Sequence, residues 1–361
     1  MVKFRKVTGL LMAAALLVSL TACAPKKTYI PVISKGFQHQ FWQAVKQGAE
    51  KAAKENNVEI TFEGPATEAD IQPQVQMLVN AMAKNPSAIC LAALDTSSVM
   101  DQLNQAIKKK IPIIGFDSGV PNAPDGAIYA TAATNSYNAA GLGADKMFDA
   151  IKDKIVAATA AKPVTIVDFN QDATSQSVTD RGKGFRDEMI KRIVAEGKHG
   201  VEEIAVKGNP AYIAPDSPVS KKPAVIIDVV VPASPKDTDA TNSAQAFLNK
   251  VKSDRILGVF CSNEGVARAV LSATNDGSAL PKQYPGLAVV GFDAGKAQKA
   301  AVKSKFFLGA ITQDPVRIGY LAVDLACKAI KKQKVENVDT GAKFYDASNM
   351  DQAEFQPLLY D

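Results

Sequence analysis

The chain has 361 residues, of which 47% are hydrophobic. This length exceeds what one hydrophobic core usually organises and therefore predicts two domains. Its 42 basic and 37 acidic residues leave a small net charge of +5. This balance gives no electrostatic reason to expect nucleic acid or a polyanionic substrate.

The first element along the chain is a processing segment. Lys3, Arg5 and Lys6 precede an apolar stretch at 7–20, and Leu-Thr-Ala-Cys, ending at Cys23, follows at once. About 14 apolar residues fall short of the roughly 20 that a membrane-spanning helix needs. The order resembles a bacterial lipoprotein signal. The resemblance implies a signal peptide at 1–22, lipidation of Cys23, a linker at 23–28 and an extracytoplasmic chain anchored to the membrane.

From Tyr29 onward, short β-type runs alternate with longer amphipathic segments, which is typical of βαβ units and parallel sheets. The predicted strands are 29–34, 58–62, 88–91, 111–116, 164–169, 225–231, 256–260, 287–292 and 307–311. The predicted helices are 41–56, 71–84, 97–109, 137–155, 176–195, 239–252, 264–274, 294–304 and 315–331. Before the strand at 225, the proline-rich segment 207–223 predicts a surface loop or hairpin.

Three cysteines remain beyond Cys23, namely Cys90, Cys261 and Cys327. They are widely spaced and each lies in an apolar context, so we expect buried thiols. An odd number of such thiols argues against a disulfide framework and against a Cys-x-x-Cys metal site. We therefore expect no metal.

A short repeat points to a binding site. The segments IIGFDSG at 113–119 and VVGFDAG at 289–295 each predict a buried strand that ends in an aspartate, Asp117 or Asp293, before a turn containing glycine. In open α/β sheets, ligands bind outside the carboxyl ends of the strands. Two facing sheets would place one carboxylate from each in a shared cleft.

Six segments together carry a resemblance to a known family: SKGFQHQFW at 34–42, GFD at 115–117, DRGKGF at 180–185, VFCSNE at 259–264, VGFD at 290–293 and GAITQDP at 309–315. In this order and spacing they resemble the ribose/galactose-type periplasmic binding proteins, the family that also supplies the sensor domain of LacI-type repressors. The resemblance covers essentially the whole chain after the signal.

This resemblance implies an α/β fold of two Rossmann-like lobes with parallel sheets, joined by a three-strand hinge, as in type I periplasmic binding proteins. We expect the crossings near 133–135, 313–315 and 340–342. The N-terminal lobe would then comprise 29–133 plus 314–340, and the C-terminal lobe 134–313 plus 341–361.

The resemblance also implies the ligand-binding side chains. Four of them match family positions that bind ligand hydroxyls: Asp117, Asn263, Asp293 and Gln313. Phe41 and Trp42 match the aromatic pair that stacks on a sugar ring, and His39 falls where the family often has an amide. Thr179 stands where many relatives have an arginine, so a cationic clamp is lost or supplied elsewhere. Asp95 is a further candidate because it lies at a strand end.

Each assignment has a structural alternative. The side chains of Asp117, Asp293 and Asn263 could cap the helices that follow them. Phe41 or Trp42 could belong to the core face of an amphipathic helix. His39 has no visible metal partners, so hydrogen bonding is the favoured role. For Arg181, a structural salt bridge is favoured over ligand contact.

The resulting hypothesis is a monomeric solute-binding lipoprotein of an ABC importer, which binds a monosaccharide without a cofactor and delivers it to a permease in the cytoplasmic membrane. A nucleoside, polyol or autoinducer-type ligand stays open as the alternative. A LacI-type regulator would need an N-terminal helix-turn-helix, and the signal segment takes its place. An enzyme is disfavoured because the sequence contains no G-x-S-x-G, P-loop or H-E-x-x-H motif.

Overall fold

The computed structural model of the chain describes residues 27–37 and 39–360. The predicted signal peptide at 1–22 and the predicted lipidation site Cys23 lie outside the described residues. The described strands form two separate sheets with helices packed against them. The expected α/β class with two Rossmann-like lobes is therefore confirmed.

The first sheet has six strands, and every pair in it is parallel. In spatial order they are β12 (Val338–Asp339), β5 (Ile128–Ala133), β4 (Ile113–Phe116), β3 (Ile89–Leu91), β1 (Tyr29–Ile33) and β2 (Glu59–Glu63). Strands β3 and β4 are buried along their whole length, which explains their unbroken apolar sequence. This sheet and its helices are called the first lobe.

The second sheet has seven strands, which are parallel except where β13 pairs antiparallel with β11. In spatial order they are β13 (Ala342–Tyr345), β11 (Gly309–Gln313), β10 (Ala288–Phe292), β9 (Ile256–Cys261), β6 (Val164–Phe169), β8 (Val225–Val230) and β7 (Ile204–Gly208). This sheet and its helices are called the second lobe. All the predicted strands are present, and β5, β7, β12 and β13 are additional.

The described helices are α1 (Gln40–Glu55), α2 (Ile71–Ala83), α3 (Met100–Lys109), α4 (Ser136–Val156), α5 (Gln176–Glu196), α6 (Asp237–Leu248), α7 (Glu264–Ala273), α8 (Leu280–Gln283), α9 (Lys296–Lys303) and α10 (Pro315–Ile330). Amphipathicity accounts for α1, which buries Phe41, Val45 and Ala49. Pro315 is the first residue of α10, a position that proline tolerates. The Asp314 carboxylate caps this helix by accepting a hydrogen bond from the N–H of Arg317 at 2.9 Å.

The segment at 207–223 is in part the predicted surface loop or hairpin, because it returns beside β7 through an antiparallel bridge between Ala205 and Val219. Its first two residues complete β7, and Tyr212 is fully buried, with its hydroxyl donating to the backbone oxygen of Asp172. Farther along, Val219 is 73% exposed. The segment is thus anchored to the second lobe by one buried aromatic side chain and by backbone hydrogen bonds between 218–220 and β7.

In each lobe, two helices cross at a glycine. A Cβ added at Gly319 of α10 would lie 1.9 Å from the carbonyl oxygen of Val45 in α1, and Gly48 meets α10 in the same way. In the second lobe, a Cβ at Gly184 of α5 would lie 2.0 Å from the carbonyl oxygen of Tyr137 in α4. Only glycine allows these backbones to approach so closely.

The chain passes between the lobes three times: from β5 to α4, from β11 to α10 and from β12 to β13. The first and third passages lie side by side, because the hydroxyls of Thr134 and Thr340 are 3.2 Å apart and the Asn135 N–H donates to the Asp339 carboxylate at 3.0 Å. Gly341, with a φ of 78°, turns the third passage toward the second lobe. The lobe limits given above stay predictions.

Two further features concern the whole described chain. No helix within residues 27–37 and 39–360 has the length and apolar character needed to cross a membrane. Cys90, Cys261 and Cys327 are buried and free, as their apolar sequence contexts predict.

Candidate functional site

Asp117 and Asp293 occupy equivalent positions, directly after β4 in the first lobe and directly after β10 in the second. Their backbones are left-handed, with φ of 54° and 78°, a conformation that aspartate adopts more readily than most residues. Their N–H groups extend the two sheets by donating to Ala132 at 3.0 Å and to Ile311 at 2.7 Å. Both residues are 5% exposed and line one small cavity between the lobes.

Each of these carboxylates has a buried cation beside it. Lys35, which follows β1, has its Nζ 3.5 Å from Asp117 Oδ2. Arg181 in α5 has its Nη1 3.7 Å from Asp293 Oδ2, and its guanidinium lies over the ring of Phe292 at 3.9 Å. Each lobe therefore supplies a carboxylate paired with a cation to the cavity.

Two aromatic side chains from the first turn of α1 form another wall. Phe41 and Trp42 are 5% and 1% exposed, and their rings meet edge to face at 4.9 Å. Both also belong to the hydrophobic core of the first lobe. The structure thus gives them the core role, while their position on the cavity leaves ring stacking on a ligand as a prediction.

The remaining polar side chains come from both lobes. The side-chain oxygen of Asn263 caps α7 by accepting from the N–H of Val266 at 3.2 Å, while its amide group donates to Gln171 at 2.8 Å. Gln313 donates to Asp293 Oδ1 at 2.7 Å. Burial lowers the pKa of His39 against the opposing effect of the nearby Glu68 carboxylate, so His39 presents a neutral imidazole.

Seven of the nine predicted ligand-binding side chains thus line this cavity, namely His39, Phe41, Trp42, Asp117, Asn263, Asp293 and Gln313. Its volume is about 20 Å³, which is close to the room that one water molecule occupies. A larger molecule would therefore have to enter while the lobes are farther apart, and the three crossing segments are where such a movement would occur.

Asp95 and Thr179 lie outside the cavity lining. The carboxylate of Asp95 accepts hydrogen bonds from the N–H groups of Ser97 at 2.9 Å and Ser98 at 2.6 Å, closing a local turn. The Thr179 hydroxyl donates to backbone oxygens of its own helix, including that of Ser175 at 3.0 Å. Local bonds therefore occupy both side chains, and their predicted ligand contact gains no support.

Three lining residues were not among the predicted site residues: Lys35, Glu68 and Arg181. Lys35 follows a strand end, as Asp117 does, and the same positional rule could have identified it. Arg181 forms the salt bridge that the sequence favours, yet that salt bridge lies in the cavity wall. Glu68 is in the loop between β2 and α2, where no short spacing from a strand marks it.

The cavity lining carries both cationic and acidic side chains. Burial by itself would lower the pKa of Lys35, but the carboxylates of Asp117, Glu68 and Asp172 outweigh it and raise that pKa, so the ammonium stays charged. Burial also raises the pKa of Asp117, against the opposing effects of Lys35 and Arg181. Two cations thus face three carboxylates, those of Glu68, Asp117 and Asp293. Such a lining suits a neutral ligand with many hydrogen-bonding groups better than a polyion.

A larger cavity of about 610 Å³ lies beside the crossing segments and includes Asn135, Asp180 and Asp339 in its lining. Of the nine predicted residues it shares only Asp117. The smaller cavity, which carries seven of them from both lobes, is therefore the candidate site.

Comparisons with known proteins agree with this fold. The sequence profile described as "Periplasmic binding protein domain" matches residues 30–334. The D-allose-binding periplasmic protein of Escherichia coli (strain K12) is 23% identical over 322 residues, which are 87% of this chain and 88% of that protein. A solved structure described as an ABC transporter, LacI family transcriptional regulator from Brachyspira murdochii has a TM-score of 0.76 and 37% identity, covering 93% of this chain and 99% of that one. An ABC transporter solute binding protein from Agrobacterium vitis with bound D-fucose has a TM-score of 0.72 and 26% identity, covering 92% and 100%.

Proposed function

The chain belongs to the periplasmic binding protein family, and we propose that it is the solute-binding lipoprotein of an ABC importer that captures a monosaccharide between its two lobes. The observation that carries this proposal is the convergence of a carboxylate and a cation from each lobe on one buried cavity. Members of this family are transport components, so no catalytic role is proposed.

The chemistry of the cavity suits a sugar. A monosaccharide presents several hydroxyls, and each loses solvation on burial unless it finds a partner. Asp117 Oδ2 and Arg181 Nε have no hydrogen-bond partner among the described residues, so they remain available to ligand hydroxyls. The edge of the Phe41–Trp42 pair offers an apolar surface for the C–H face of a sugar ring.

Two relatives support the choice of ligand class. One is named for D-allose binding, and another was solved with D-fucose bound. Both resemble this chain over most of their length. A neutral pyranose or furanose ring is therefore the first candidate.

We propose a wider role that is consistent with the fold. A ligand that contacts both lobes at once stabilises their closed arrangement over the open one. The closed pair of lobes would present both outer rims to a permease in the cytoplasmic membrane. Lipidation at Cys23 would keep the monomeric protein at the extracytoplasmic face, near that permease.

The proposal is tested by a thermal-shift panel on the protein without its signal segment. Pentoses, hexoses, 6-deoxysugars, polyols and nucleosides are each added at millimolar concentration. A ligand that binds only the folded state raises Tm by mass action, and we expect one or a few monosaccharides to do so. If only nucleosides or polyols shifted Tm, the sugar assignment would be wrong. If no compound did, the binding proposal itself would lose its support.

A further inference from the structure

A chain of hydrogen bonds joins the two lobes beside the cavity. Glu68, in the first lobe, accepts from Trp42 Nε1 at 2.8 Å through one carboxylate oxygen and from Gln171 Nε2 at 2.7 Å through the other. Gln171 follows β6 in the second lobe, and its side-chain oxygen accepts from Asn263 Nδ2 at 2.8 Å. The bond between Glu68 and Gln171 therefore crosses from one lobe to the other.

Both ends of this chain are side chains that line the cavity. Trp42 forms part of the aromatic wall, and Asn263 is a predicted partner of sugar hydroxyls. Gln171 is 1% exposed and Glu68 is 5% exposed, so water does not compete for the interlobe bond. The bond must break whenever the lobes separate, because its two partners belong to different lobes.

The orientation of each amide group in the chain is fixed by its neighbours. Because the Asn263 oxygen accepts from Val266 N–H, the nitrogen of that amide faces Gln171. The Gln171 oxygen must then accept, which leaves its nitrogen to donate toward Glu68. Only an acceptor at position 68 completes the series, and Glu68 must also accept from Trp42.

We infer that Glu68 and Gln171 form an interlobe latch, a charged hydrogen bond made on closure that fixes Trp42 and Asn263 in their binding positions. Glu68 is thus a positioning residue for the sugar site, and the latch sets how long a captured sugar is held. This inference rests on the proposed function, since it assigns the latch to the same cavity.

The test is a double-mutant cycle. In Glu68→Gln, an amide at 68 meets the Gln171 amide, and at one point in the series two N–H donors are left facing each other. In Gln171→Glu, two carboxylates face each other. Sugar affinity should fall about ten- to a hundredfold in each single variant, mainly through faster dissociation, because a buried charged hydrogen bond is lost.

The double variant Glu68→Gln/Gln171→Glu provides the rescue. Its glutamine can accept from Trp42 and donate to the new glutamate, which can accept from Asn263 as well. Affinity should return to within about threefold of wild type if the latch is correct, since one charged hydrogen bond is restored. Glu63→Gln, at the end of the strand that leads into the same loop, is the matched control and should bind like wild type.

The measurements are Kd and the dissociation rate for the panel sugar that wild type binds, with circular dichroism to verify folding. Single variants that bind as tightly as wild type overturn the latch, as does a double variant at least as weak as the weaker single variant. Failure of the proposed function appears elsewhere, as a wild-type chain that binds no panel sugar. That outcome overturns the latch together with the function on which it rests, whereas a wild-type chain that binds sugar while the single variants bind equally well overturns the latch alone.

Discussion

Asp293 combines a proposed ligand contact with an unusual backbone conformation. Its carboxylate accepts hydrogen bonds from Gln313 at 2.7 Å and from the N–H of Glu264 at 3.1 Å, and it lies near the buried guanidinium of Arg181. Its φ is 78°. Alanine at this position would strain the backbone and remove the counterion of Arg181. Asparagine keeps the shape and tolerates the left-handed backbone, so it isolates the effect of the charge.

We therefore predict that Asp293→Asn weakens sugar affinity by at least about tenfold, because hydrogen bonds to a charged acceptor contribute roughly 1.5–3 kcal/mol. Isothermal titration with the sugar that binds wild type measures this loss. Asp95→Asn makes the same chemical change at a strand-end aspartate outside the cavity and should leave Kd unchanged. Loss of binding in Asp95→Asn, or wild-type affinity in Asp293→Asn, would contradict the site described above.

Much of this candidate site can be predicted from the sequence, because the rule that ligands bind beyond strand ends applies to each strand separately. Asp117 and Asp293 each end a buried strand before a turn, and such positions point toward ligands in parallel sheets. Glu68 follows no such rule, and although Gln171 follows the end of β6, the pairing of the two depends on how the lobes face each other. That arrangement is set by three short crossing segments, and no periodicity in the sequence reports it.

At the scale of elements, the strands that the sequence patterns did not predict lack the features on which those patterns depend. β5 is rich in alanine, which has low β-propensity, and Tyr129 in it is 48% exposed. β12 has only two residues, too few for any alternation to appear. β7 has only three apolar residues, Ile-Ala-Val, before the chain enters the proline-rich segment. The long buried strands and the amphipathic helices, by contrast, follow their patterns closely.

The close crossing of α1 and α10 predicts that adding one methyl group at Gly319 strongly lowers the stability of the folded protein. In Gly319→Ala, the new Cβ would meet the carbonyl oxygen of Val45 at 1.9 Å, so the helices must separate. We expect a loss of about 2–4 kcal/mol and a Tm lower by several degrees. Gly141→Ala in α4 is the control, because its Cβ would lie 3.6 Å from Glu188 and alanine favours a helix. Equal Tm values for the two variants would contradict this crossing.

At the scale of the whole molecule, stability should depend on pH through a carboxyl group at the lobe boundary. Burial, together with the negative charge of Asp293, raises the pKa of Glu264 from 4.5 to about 7. The folded protein therefore holds this proton where the unfolded chain releases it. Stability is highest when Glu264 is protonated and falls as the pH rises from about 4.5 through 7.

We predict that the Tm of the sugar-free protein falls by a few degrees between pH 5 and pH 8, reflecting at most about 3 kcal/mol. In Glu264→Gln this part of the decline should disappear, because glutamine does not titrate. Scanning calorimetry of both proteins at the two pH values measures the difference. A parallel decline in wild type and variant would assign the effect to other groups.

The three crossings also determine when the first lobe can be completed. Helix α10 buries Ile318, Ala322 and Ala326 in the core of the first lobe, yet the entire central part of the second lobe precedes it in the chain. A growing or translocating polypeptide that has emerged only as far as β11 exposes that core, because its covering helix has not arrived. Premature termination before Pro315 would therefore disable the lobe that is made first, and in a chain passing through a membrane pore that lobe would stay incomplete until α10 follows.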